Sequence, residues 1–263
     1  AAGAGLHIGD WFPSTLNIVN CTFTDNISES TSEFTGIGFS ALGGAALLGD
    51  SRAVVNNCVF NGNTTEDSGG GLALVGECEA TVRDCTFSSN QSRIGGGGLL
   101  SLDSYVLVDD CSFIGNSTGN VHSIATVTDC TSVSPGYGGG LYFTNGSAVV
   151  KSCWITGNSA NIGGGLYASG VPVRIENCSV TANNVVTYFD CEPRPGRGNG
   201  IFTETYDIAS GEEPNNPVLI NTNVCENTLD ATTAELDDQI EGLLPSESSR
   251  DFCISSDCTE CRT

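Results

Sequence analysis

The chain has no methionine among its 263 residues, and its single lysine is Lys151. The missing methionine predicts a processed or excised piece of a longer product. Bases are scarce: nine stand against 31 acids, for a net charge of −22. That excess excludes nucleic acid as a ligand, because its phosphates would be repelled, and it disfavours anionic membrane surfaces for the same reason. No apolar run reaches 18 residues, so no membrane-spanning helix is expected, and no signal-peptide pattern stands at the start. The two histidines, His7 and His122, are isolated, so no Ser-His-Asp triad is expected.

What is plentiful is glycine (34), cysteine (13) and Asn-x-Ser/Thr sequons, which begin at Asn20, Asn26, Asn63, Asn90, Asn116, Asn145 and Asn177. Cysteine usage and processing point to a secreted or cell-surface location, and the sequons agree with it.

The chain repeats itself, most plainly between Gly138 and Asn183. The unit Cys-x-apolar-x-x-Asn recurs at Cys21/Phe23/Asn26, Cys58/Phe60/Asn63, Cys85/Phe87/Asn90 and Cys111/Phe113/Asn116. It continues at Cys153/Ile155/Asn158 and Cys178/Val180/Asn183, and closes at Thr222/Val224/Asn227 with Thr in the Cys position. A glycine element ending in Leu, or Ile at Ile201, precedes each copy. The successive cysteine spacings are 37, 27, 26, 42 and 25, a base period of 25–27 with insertions. Apolar residues three and five positions before each Cys, such as Val106 and Val108 before Cys111, alternate as in a strand. The step of three to the Cys breaks that period and predicts a two-residue corner such as Asp109-Asp110, of residue types that tolerate turns.

Three short strands per rung and about seven rungs describe an all-β fold, a right-handed parallel β-helix rising about 4.8 Å per rung. The three strands expected are one before the Cys, one through the Cys and one opened by the Leu after the glycines. Stacking puts like on like. An aromatic ladder of Phe23, Phe60, Phe87 and Phe113 is expected inside, with a thiol ladder of Cys21, Cys58, Cys85, Cys111, Cys153 and Cys178 and an amide ladder of Asn26, Asn63, Asn90, Asn116, Asn158, Asn183 and Asn227. Insertions at 27–42, 117–137, 184–197 and 203–216 are expected to loop outward. The β-helix should occupy residues 1–228 and a cap and tail residues 229–263. There, Thr232-x-x-Glu235 reads as a capping box, and Leu236, Ile240 and Leu243 predict a short amphipathic helix before Pro245. Disulfide candidates are Cys130 and Cys191 in the insertions, Cys225, and Cys253, Cys258 and Cys261 in the tail. The odd cysteine total leaves at least one thiol free or bonded to another chain.

The Phe-x-x-Asn elements at Phe23/Asn26, Phe60/Asn63, Phe87/Asn90 and Phe113/Asn116, alternating with Gly-Gly-[Gly/Ala]-[Leu/Ile], resemble the repeats of the chlamydial polymorphic outer membrane proteins. The match covers roughly residues 3–227, without any trace of that family's translocator barrel. The resemblance implies a surface-displayed β-helix used in adhesion and envelope structure.

No catalytic residue or bound cofactor is expected. Asp84, Asp109 and Asp110, at equivalent corners of adjacent rungs, are candidates for Ca²⁺ or for the acid–base pair of a polysaccharide-cleaving β-helix; solvated corner acids are the alternative. Asn145 is the first candidate for glycosylation, with Asn20 and Asn177 next. The leading expectation is a non-enzymatic extracellular structural subunit of a surface filament, appendage or coat, with copies of itself or related β-helix subunits as end-to-end partners. An adhesin-type module binding glycans or other surface proteins, and a polysaccharide lyase or hydrolase, remain open beside it.

Overall fold

The computed structural model describes residues 5–8, 14–29, 42–119, 135–186, 188–190, 192–194, 196–204, 217–229, 240–241 and 253–255. These form a parallel β-helix of seven rungs and part of an eighth, with no helix among them. Three sheets run the length of the rod, and strand pairing along them is parallel and in register from rung to rung.

The three strands per rung are not the three expected. The strand opened by the Leu and the strand before the Cys lie in one sheet, and in the fourth and fifth rungs they are continuous, as Leu99–Asp109 and Leu141–Lys151. A single left-handed residue, such as Asp103 (φ 53°) or Asn145 (φ 54°), separates the two halves without turning the chain into a new sheet. The second sheet contains the Cys-x-Phe segments, for example Thr86–Ser88. The third sheet consists of two-residue strands after each Asn, for example Gln91–Ser92, where a plain corner was expected.

The turn from the first sheet to the second is made by left-handed residues at Asn20, Asn57, Asp84, Asp110, Ser152, Asn177 and Asn221, each directly before the Cys position. Asn and Asp tolerate that conformation best among residues with a side chain.

The interior follows the predicted alternation. Leu72, Leu74, Val82, Phe87 and their rung-to-rung equivalents form one continuous core. Phe23, Phe60, Phe87 and Phe113 stack with ring centroids 5.0, 4.6 and 4.7 Å apart and nearly parallel planes. Ile155, Val180 and Val224 continue that column.

A second apolar layer lies outside the barrel. Leu47, Ala73, Leu100, Tyr167 and Phe202 alternate with inward residues of the first sheet, yet all are buried. They pack with Leu42 at one end and Ile162 at the other, against Tyr137 and Tyr142. Arg197 lies over the Phe202 ring, 5.0 Å from its centroid. The Tyr167 hydroxyl donates to Glu204 at 2.5 Å. Burial, and then the Glu204 carboxylate, pushes the Tyr167 phenol above its usual range.

The sheets run past residue 228, the expected limit of the rod. Ile240–Glu241 pairs with Ile201–Phe202, and Cys253–Ser255 pairs with Asn223–Cys225. Ile240 therefore belongs to a strand and not to the predicted helix; the rest of that helix lies outside the described residues. The physical reason is the row of unsatisfied backbone groups on the seventh rung, which a further strand satisfies directly and a helix cannot. Of the insertions, the one at 184–197 contains an antiparallel pair, Tyr188–Asp190 with Glu192–Arg194.

Candidate functional site

The seven amides from Asn26 to Asn227 form one continuous hydrogen-bonded column. Each Asn Oδ1 accepts both the backbone N–H and the Nδ2–H of the Asn one rung earlier, at 2.8–3.0 Å along most of its length. Each Nδ2 also donates to the carbonyl at the Phe position of the earlier rung, as Asn116 does to Phe87 at 2.9 Å. From Asn63 onward these amides are completely buried. The sequons at Asn63, Asn90 and Asn116 therefore leave no space for a glycan in the folded rod. Asn20 and Asn177 instead stand exposed at left-handed corners and Asn145 at the left-handed residue within its strand, hydrogen-bonded to Asn57, Asn221 and Asp103 respectively.

The thiol column works by the same logic. Cys21, Cys58, Cys85, Cys111, Cys153 and Cys178 are all free. Neighbouring cysteines meet through backbone N–H to Sγ contacts of 3.4 Å instead of disulfides. Each Sγ in turn donates to the carbonyl two residues back, as Cys111 does to Asp109 at 3.3 Å. Thr222 makes both bonds with its hydroxyl, accepting from the Cys178 N–H and donating to Ile220. The position therefore selects a small donor–acceptor side chain and not sulfur chemistry. Burial holds the Cys58 thiol above the usual range, and contact with Cys111 followed by burial does so for Cys85.

Cys111→Thr is accordingly expected to melt within a few degrees of the wild type, whereas Cys111→Ala should lose about 1–2 kcal/mol. Thermal unfolding followed by circular dichroism separates the two outcomes. If both variants lose equally, the hydrogen-bonding account fails.

Cys78 does not belong to the repeat and carries no sequence signal. It is buried and free in register with Ser51 and Ser104, and its Sγ donates to the carbonyls of Leu48 and Val75. Only the hydroxyls stacked on either side of it reveal that column. Cys225 is disulfide-bonded. Cys130, Cys191, Cys258 and Cys261 lie outside the described residues, and of Cys253 only the backbone, in its strand, is described.

The three carboxylates proposed for Ca²⁺ or acid–base work do not converge. Asp84 and Asp110 share a column of exposed left-handed corners, whereas Asp109 lies one residue earlier and is ion-paired to Arg83. Among the described residues no three His, Cys, Asp or Glu side chains form a group able to hold a metal. The physical reason is the corner itself: the left-handed residue changes the chain direction, so consecutive Asp109 and Asp110 present to different sides.

The outer face of the first sheet's second half, the strands before each Cys, carries ion pairs. Arg52 pairs with Glu79 at 3.0 Å, and Lys151 and Arg174 both pair with Glu176. Desolvation acts to raise the Glu176 carboxyl, but its two cationic partners outweigh that and hold it below the usual carboxylate value. Exposed pairs of this kind contribute little stability. A shallow groove of about 400 Å³ runs along this face, lined by Thr15, Arg52, Val54, Glu79, Tyr105 and Leu107 among others. Asp84, Asp109 and Asp110 are not part of its lining.

No curated protein and no solved structure matches the chain significantly. A family model described as "right handed beta helix region" matches residues 13–205, nearly the whole span over which the Asn, Cys and Phe columns stack. Fold geometry and family match thus agree, and the chain belongs to the right-handed β-helix family.

Proposed function

We propose that the protein is a non-enzymatic structural rod of an extracellular or cell-surface assembly, joined through its ends to further β-helix rungs. The first described rung carries this reading. Its strands Leu6–Ile8, Ser14–Val19, Thr22–Thr24 and Ile27–Ser28 pair on one side only among the described residues. Leu6, Ile8, Leu16 and Phe23 are half-buried there, where the later members of their columns are fully covered. The Oδ1 of Asn26 receives no bond among the described residues, although every later ladder Oδ1 accepts two from the rung before it. An edge of this type pairs with a further rung, of the same product or of a second copy, and head-to-tail joining of copies that does not close produces a filament.

The disulfide at Cys225, the exposed Asn20, Asn145 and Asn177 as glycan acceptors, and the resemblance to surface-displayed repeats support an extracellular setting.

Sedimentation velocity and negative-stain imaging over a concentration series test the assembly. End-to-end oligomers that lengthen with concentration are expected, and Leu16→Asp or Phe23→Asp should leave folded monomers. A monodisperse monomer at the highest attainable concentration would overturn the proposal.

A further inference from the structure

The outward face of the second sheet takes no part in the core, the ladders or the rod ends. From Val59–Asn61 through Thr86–Ser88, Ser112–Ile114 and Trp154–Thr156 to Ser179–Thr181, its five central strands contain no charged residue. In a chain with 31 acids and nine bases, this is an uncharged strip running along the rod. The strands are parallel and in register, so the strip is flat.

Trp154 stands in mid-sheet with Ser112 and Ser179 on either side. Neither is large enough to cover the indole, which leaves Trp154 65% exposed; Ile114, in the neighbouring strand, is 43% exposed. Covering such an indole removes apolar surface from water, and a clustered exposed apolar surface marks a binding face. Ser88 donates to Asn61, and Thr181 bonds Thr156. The hydroxyls of Thr86, Ser112 and Ser179 make no side-chain hydrogen bond among the described residues, so they remain open to a ligand.

Charge selects the ligand. The corners bordering the strip carry the exposed acids Asp84 and Asp110, and the whole molecule is strongly negative, so an anionic polymer is repelled from it. A cationic partner would be drawn to those corners and to the remaining acids, not to a strip without charge. A flat neutral face with one protruding indole and rows of open hydroxyls complements a hexose ring. The ring's axial C–H groups, carrying partial positive charge, stack on the negative π face, and its equatorial hydroxyls exchange hydrogen bonds with Ser and Thr.

We propose that this face binds a neutral, linear polysaccharide, with Trp154 as the stacking anchor and Thr86, Ser112 and Ser179 as hydroxyl partners. The inference does not depend on assembly through the rod ends.

The test measures retention of the intact chain on cellulose, chitin and mannan, with oligogalacturonate and alginate as anionic controls. Tryptophan fluorescence is followed in a Trp11→Phe background, where Trp154 is the single reporter. Retention on at least one neutral polymer is expected, with a blue shift of the indole emission. Trp154→Ala and Ser112→Asp should each weaken binding about tenfold or more while leaving the circular dichroism spectrum unchanged. Failure to bind any neutral polymer overturns the proposal. Preference for the anionic controls, or retention insensitive to both substitutions, does the same. So does a finding that Trp154→Ala abolishes self-association and not glycan binding, which would assign the strip to a second copy of the chain.

Discussion

Replacing Asn116 by alanine is expected to destabilise the rod by about 4 kcal/mol, because it leaves two buried donors without acceptors. Those donors are the backbone N–H of Asn90 and one Nδ2–H of Asn90, which both end on the Asn116 Oδ1. The Asn116 Nδ2 bonds to Phe87 and Asn158 disappear as well. Water cannot compensate at a completely buried site, and the fourth rung lies mid-rod, so the defect separates two halves that otherwise stabilise each other through nearest-neighbour contacts. Two comparisons sharpen the result. Asn26→Ala should cost clearly less, because Asn26 lies on the first rung, is half-buried and has an Oδ1 that accepts nothing from the described residues. Asn145→Ala should cost about 1–2 kcal/mol, since it loses a single exposed bond to Asp103 and gains the strain of a left-handed alanine. Urea unfolding monitored by circular dichroism gives all three values. Equal losses at Asn26 and Asn116 would show that the column does not act through stacking.

Gly97→Ala is expected to destabilise by more than about 3 kcal/mol, or to prevent folding altogether. A Cβ at Gly97 would lie 2.4 Å from the Gly139 carbonyl oxygen and 2.6 and 2.7 Å from the Ser117 oxygen and nitrogen. All three are backbone atoms of ordered strands or corners, so none can move aside without opening the rungs. The control is Gly115→Ala. Gly115 has φ +64° but nothing within 4 Å of a built Cβ, and Asp25, Ser89, Ala182 and Glu226 occupy the equivalent corner with positive φ. Its cost should stay near the 1–2 kcal/mol of a left-handed alanine. Thermal melting compares them, and a Gly97→Ala protein with a native melting temperature would refute the close-approach account.

The columns were legible because in-register parallel stacking converts a sequence period into a spatial one. Once Cys21, Phe23 and Asn26 recur with fixed internal spacing, each must lie on its predecessor. The partition into strands was not legible in the same way. Whether a left-handed residue ends a sheet or merely separates two halves of one strand depends on the conformation of its neighbours. Asp103 and Asp110 have nearly the same φ, yet only the second turns a corner. Cys78 leaves no sequence signal because its column partners, Ser51 and Ser104, share hydrogen-bonding capacity with it and not identity. The local spacing around Ile240 suits a helix, while the unpaired edge of the seventh rung decides its conformation.

By itself the sequence determined that the chain is a parallel β-helix, which residues form its internal ladders, and where the corner before each Cys falls, since all of these follow from period and residue type. The tertiary structure alone decided which surfaces remain. Leu47, Leu100 and Phe202 point away from the barrel and are nevertheless buried, Asp109 is withdrawn from its neighbours by Arg83, and the strip around Trp154 stays open. The inward half of each strand is set by alternation, which local sequence carries. The outward half depends on what packs across it from other rungs, and no single repeat encodes that.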